Sequence, residues 1–282
     1  MSISRQTHPI LYRLNVERHR LLRRLSLRFG GARFAKVDGR QRESTAIRTF
    51  RHKSVLMRQL GDVDMRLQRN KITNLRLAAE RINDTVIRPG ETFSLWRLVG
   101  RPTARRGFLT GLLLSQGEVT EGVGGGLCQM ANLLYWMFLH SPLTVTERHH
   151  HSFDAFPDSG RTLPFGSGAT IFYNYVDLQA QNLTERAFRL STWVDDRFLH
   201  GELWADEDLA FSYRILERNH RFMRDNIGTP WYRENDLFRQ VIDRRTGLVV
   251  EEQHLMHNRS EVKYDFEKNA VAPDFEHNCL VS

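Results

Sequence analysis

The sequence predicts an α+β fold: a mixed or antiparallel sheet with a cysteine-bearing helix packed on it. Two observations carry this. The run from Cys128 to about His140 is strongly apolar, long enough for a helix, and closed by Ser141-Pro142, where proline cannot continue it. Around it lie short segments that alternate or are rich in β-branched residues, with no internal repeat among them. A length of 282 residues allows one large domain or two small ones, and 40% apolar with 26% charged residues is an ordinary globular composition.

Residues 1–49 read as a basic arm and linker. Leu11, Leu14, Leu21, Leu22, Leu25 and Phe29 recur at near-helical spacing, with Arg13, Arg20, Arg23, Arg24 and Arg28 between them, and Gly30-Gly31 stops the pattern. Residues 1–60 carry 15 Lys/Arg against 3 Asp/Glu, whereas the rest of the chain carries 26 against 30. The basic charge therefore belongs to the arm and not to the body, which argues against nucleic acid as a partner. The arm is a short amphipathic helix that either lies on an anionic membrane surface or packs on the domain with its arginines in water. Residues 32–50 are polar and mixed, as in a linker. Arg5, His8, Arg13 and Glu17 break every candidate apolar region of a signal peptide, and no window matches a membrane span, so a cytoplasmic location is expected. Cys128 and Cys279 lie far apart and read as reduced thiols.

A core domain is expected over 50–200. Val63-Asp-Met65-Arg-Leu67 alternates like a strand, and Asn74 suits the N-cap of a helix holding Leu75, Leu77, Ala78, Ala79 and Ile82. Arg88-Pro-Gly-Glu91 is a turn, and Phe93-Ser-Leu95-Trp96 starts an extended segment. Gly107, Gly111 and Gly117 punctuate the approach to a glycine-rich loop, Gly122–Gly126, and the apolar helix follows. Leu143–Thr146 reads as a strand continuing through Glu147–Ser152, with further strands over 169–178 and 186–194. A β-rich extension, 201–282, holds weaker alternation around the Thr246-Gly247 turn, notably at Phe238–Ile242 and Leu248–Val250.

Cys128 opens the apolar helix, where unpaired N–H groups and the helix dipole would favour a thiolate. Gly124, Gly125 and Gly126 would let the backbone approach a ligand closely, and the N–H groups of Cys128 and Gln129 would form an oxyanion hole. The next strand would return a histidine as general base. Alternation places His149 and His151 on one face, His150 and Ser152 on the other, which makes His151 the first candidate base. Other readings stand beside this one. Cys128 would equally serve as a small buried hydrophobe between Leu127 and Met130. A metal held by Cys128 and two histidines is a further reading, although the chain has no tight Cys-x-x-Cys or His-Glu-x-x-His pattern, so no metal or cofactor is expected. The loop would also cradle an anion without chemistry, with Arg148 as a bidentate partner for a carboxylate. It is not a P-loop, because Leu127-Cys128 stands where Lys-Ser/Thr should follow.

Gly124-Gly-Gly-Leu-Cys128-Gln129, followed by Glu147-Arg148 and His150-His151-Ser152, resembles the signature of the VanW family. The likeness extends upstream through Asn74–Ala78 and Pro89–Ser94, and downstream through Phe153-Asp154, Leu163–Gly166 and Tyr173–Tyr175, which is most of the chain. The resemblance implies an accessory role in glycopeptide (vancomycin) resistance, with a peptidoglycan precursor, or its D-Ala–D-lactate end, as the partner. It carries over to Gly124, Gly125, Gly126, Cys128, Gln129, Arg148, His151 and Ser152. Gly168-Ala169-Thr170 departs from it, standing where many members have Asp-Ala-Thr. If that aspartate orients the histidine elsewhere, this chain must use another group, such as Asp154 or Asn174, or lack the triad. Two functions follow: Cys-His thiol chemistry on a precursor, or a non-catalytic module that binds the precursor's anionic end.

Overall fold

The computed structural model describes residues 9–57, 64–115, 118–150, 153–154, 157, 162–226 and 228–266. His151, Ser152 and Cys279 lie outside them. The arm is one helix, α1 (Pro9–Phe29), followed by the short strands β1 (Arg33–Phe34) and β2 (Lys36–Val37) and the long β3 (Ile47–Val55). Helix α2 (Met65–Ile82), β4 (Thr85–Ile87), β5 (Glu91–Ser94) and the short α3 (Leu95–Val99) come next. A hairpin of β6 (Thr110–Ser115) and β7 (Glu118–Val123) leads into α4 (Cys128–Leu139). The rest is strand: β8 (Thr144–Glu147), β9 (Phe153–Asp154), β10 (Gln179–Gln181), β11 (Phe188–Val194), β12 (Phe198–Ala205), β13 (Phe211–Met223), β14 (Tyr232–Asp243) and β15 (Val249–Val262).

The described strands form three mixed or antiparallel sheets and the β6–β7 hairpin, so the α+β class and the cysteine-bearing helix of the sequence reading both stand. The orders are β1-β5-β10-β8, β2-β4-β11-β12-β3 and β13-β14-β15-β9. Helix α4 is the centre of the core. Every residue from Leu133 to Leu139 is buried, as expected of a helix that is apolar all round, and Gly201 of β12 lets Met137 and Leu133 lie close over the sheet. No helix among the described residues is long and apolar enough to cross a membrane.

Several local readings change. Within the expected linker, 33–37 and 47–50 are strand: β1 pairs with β5 and β2 with β4 as sheet edges, and β3 pairs with β12. Helix α3 starts at Leu95, inside the segment read as extended. The expected strand at Val63–Leu67 gives way, from Met65, to the first turn of α2, capped by Asp64, whose Oδ1 accepts the N–H of Arg66 at 2.7 Å. Leu67, Leu75, Ala78 and Ile82 then share one buried face at helical period, so five residues of alternation were too short a window to decide. The stretch 169–178 is irregular, with single bridges His149–Thr170 and Phe172–Val176 and a turn in which Asn174 holds φ 51°.

Candidate functional site

Asn74, read from the sequence as a helix cap, lies fully buried inside α2 and holds the glycine loop in place. Its Nδ2 donates to the carbonyls of Leu109 (3.0 Å) and Gly125 (2.9 Å), and its Oδ1 accepts the N–H of Leu109 at 2.8 Å. The loop is therefore tied at both ends of the β6–β7 hairpin. Gly125 lies so close to Gly111 of β6 that a Cβ would overlap that residue's carbonyl, and Gly124 meets Pro102 in the same way. These glycines are needed for protein-to-protein approach. Gly126, with φ +89°, comes against Lys71 of α2 and is the one of the three that reaches the cleft beside it.

That cleft, of about 400 Å³, runs between the end of β3, the start of α4 and the 163–168 loop. It brings together Gly126, Cys128, Gln129, Arg148, His150 and Asp154 from the sequence-selected segments, and adds His52, Ser54, Lys71 and Asn132. The cysteine occupies the start of α4, as expected, but its electrostatics differ. The residues before α4 already form a tight turn, so the N–H of Gln129 donates to Gly126 O (3.1 Å) and that of Met130 to Leu127 O (3.0 Å). With those donors used, burial dominates and pushes the Cys128 thiol up, against smaller lowering contributions from the backbone N–H groups of Ile171 and of Cys128 itself. The oxyanion hole expected from Gln129 N–H is therefore not open. The Gln129 side chain spans to β3, donating to Ser54 Oγ (2.9 Å) and Val55 O (2.8 Å).

Arg148 follows β8 and is paired to no carboxylate among the described residues. Its Nε donates to Gly168 O at 2.9 Å, one Nη to Gly166 O and the other to Met256 Sδ at 3.2 Å, and the guanidinium stands over the Tyr135 ring. Burial lowers its pKa, with Tyr135 opposing. Gly168, at the position where the family pattern has aspartate, also lies beside Asn132, whose Oδ1 accepts the N–H of Ala169 at 2.7 Å.

Of the histidine run, His149 and His150 lie within the described residues, and they face different surroundings. His150 lines the cleft, and burial, then Arg148 and His149, lower its pKa. His149 is exposed, with Nε2 3.8 Å from Glu147 Oε1, and its backbone bridges to Thr170. Asp154 is buried at 4% exposure, with its Oδ2 3.2 Å from both Arg233 Nη1 and the Tyr264 hydroxyl. Asn174 is committed to the arm, donating from Nδ2 to Arg20 O at 2.6 Å. Sequence reasoning missed His52, Ser54, Lys71 and Asn132. Asn132 had one available signal: it stands four residues after Cys128, on the same face of α4.

The family model for VanW like protein matches residues 70–204. Over a longer span that exceeds this segment, the chain is 31% identical over 259 residues to the vancomycin B-type resistance protein VanW of Enterococcus faecalis, covering 92% of this chain and 93% of that protein. The chain belongs to the VanW family. The uncharacterized protein YoaR of Bacillus subtilis is 32% identical over 112 residues, which are 39% of this chain and 34% of YoaR. No solved structure matches. The segment matched by the VanW model contains Asn74, the glycine loop, α4 and Arg148, but ends before β13–β15. The cleft nevertheless borrows Asn258 and Ser260 from β15, so its wall extends past the matched segment.

Proposed function

We propose that this chain acts in glycopeptide resistance by binding the anionic end of a peptidoglycan precursor in the cleft beside α4. The observation that carries this reading is Arg148, a half-buried guanidinium that lines the cleft with no carboxylate among the described residues paired to it. A cation drawn out of water is costly unless it is paired, and carbonyl dipoles compensate only partly. A ligand carboxylate would supply the missing charge, and Lys71, which also lines the cleft, adds cationic character. The name of the Enterococcus faecalis relative supports the resistance context.

Titration calorimetry with N-acylated D-Ala–D-lactate and D-Ala–D-Ala tests the reading. Arg148→Lys should weaken binding by about tenfold or more, because lysine cannot hold both a carboxylate and the 166–168 carbonyls. No heat with either ligand would overturn it. A second reading, thiol chemistry with Cys128 as nucleophile and a histidine of 149–151 as base, is supported by Cys128 and His150 lining one cleft. Cys128→Ser decides between the two. Binding and resistance survive it under the first reading, and resistance is lost under the second.

A further inference from the structure

Among its described side chains, helix α1 is attached to the body by Arg20 and Arg23 and not by its leucines. Arg23 forms an ion pair with Glu147, Arg20 Nε donates to Tyr173 O at 3.3 Å, and the Arg20 guanidinium lies over the Phe172 and Tyr173 rings. His19 meets the Tyr175 ring edge-on at 5.4 Å. The consequence is an inverted amphipathic helix. Leu14, Leu21, Leu22 and Leu25 are 62%, 52%, 49% and 43% exposed. At about 100° per residue these four fall within roughly a 100° arc. Exposed Arg18 lies inside that arc and exposed Arg24 to one side of it.

A helix that folded only for the sake of the core would bury the leucines and leave the arginines in water. Four leucines on one stripe facing water call for an occupant. Charge identifies its chemistry. The helix carries six arginines and one glutamate, and that Glu17 is taken by Arg20 (2.5 Å) and Arg101 (3.7 Å). A leucine stripe interleaved with arginine suits an interface that is apolar below and anionic at its rim, as a lipid surface with acidic headgroups is.

We infer that the leucine face of α1 docks this protein onto an anionic membrane surface, with the body suspended from the opposite, arginine-bearing face. The full chain should sediment with vesicles of phosphatidylglycerol and phosphatidylcholine, and recovery should fall at least tenfold on phosphatidylcholine alone. Changing Leu14, Leu21, Leu22 and Leu25 together to Gln should reduce recovery on anionic vesicles to the phosphatidylcholine level while leaving the thermal midpoint within about 2 °C, because exposed positions carry little folding energy. Equal recovery on both vesicle types overturns the inference, as does undiminished binding by the variant. A midpoint loss well beyond that places the leucines in the fold and also overturns it. A concentration-dependent dimer that the variant dissociates, with no vesicle binding by the wild type, assigns the stripe to a second copy of this chain instead.

Discussion

Replacing Asn74 by alanine tests whether the glycine loop is held from α2. The substitution removes three hydrogen bonds, but their losses are unequal. Leu109 O keeps a donor, since Gly124 N–H also reaches it at 2.9 Å. Gly125 O and Leu109 N lose the partners that Asn74 gives them. Each buried backbone group left unsatisfied costs about 1–3 kcal/mol, so with two such groups Asn74→Ala should cost roughly 2–6 kcal/mol. For a chain of this size that is on the order of 4–20 °C in the thermal midpoint. Asn74→Asp keeps the shape but turns a donor into a carboxylate facing two carbonyl oxygens, and should be worse than alanine. Differential scanning calorimetry gives the magnitude. Amide hydrogen exchange gives the location: the Leu109 N–H should lose protection first. A midpoint change under about 2 °C, or unchanged exchange at Leu109, would refute the reasoning.

Three shorter predictions follow from the same region. Gly125→Ala should be the most damaging alanine substitution in the loop, because the added Cβ overlaps the backbone of Gly111, and backbone cannot rotate away; soluble yield and thermal midpoint compared with Gly122→Ala check it. His52 and His140 are held at about 4, by burial above all and, for His140, by His52 and Arg239 as well. Between that value and the ordinary 6.5 the unfolded chain binds protons that the folded chain does not, so stability is full above about pH 6.5 and falls as the pH drops towards 4. Urea midpoints at pH 7.5, 6 and 5 should show this fall, and His52→Gln with His140→Gln should flatten it. In a Cys279→Ser background, iodoacetamide at pH 7 should label Cys128 about tenfold or more slowly than a free cysteine, since burial raises its thiol; labelling faster than the free amino acid would reinstate an activated nucleophile.

The elements legible in the sequence were those whose signal is local. The helix at Cys128 is apolar on every side and ends at a proline, and no tertiary partner is needed to see it. The hairpin turn at Thr246-Gly247 is likewise written in its own residues, with Thr246 N–H donating to Asp243 Oδ1 at 2.7 Å and Gly247 at φ 72°. The two-residue strands β1 and β2 were illegible for the opposite reason. Neither is long enough to show a period, and each exists only because β5 or β4 offers an edge.

The candidate site divides along the same line. Gly124-Gly-Gly-Leu-Cys128 is conspicuous in the sequence, and a run of glycines before a helix suggests ligand approach, because that is one of two uses for a missing Cβ. The other use, close approach by other parts of the protein itself, depends on Gly111, Pro102 and Asn74, from three distant parts of the chain, and no local pattern announces them. The same limit applies to the thiol. Helix N-termini favour anions only while their N–H groups lack partners, and here Gly126 and Leu127 supply carbonyls to the first ones. What the glycines secure is the position of α4: with Gly125 seated on Gly111 and clamped by Asn74, the side chains of Cys128, Gln129 and Asn132 come to one wall of the cleft. Arg148 lines that cleft with no carboxylate among the described residues paired to it, and the proposed binding of an anionic end rests on that placement more than on the cysteine's position at a helix start.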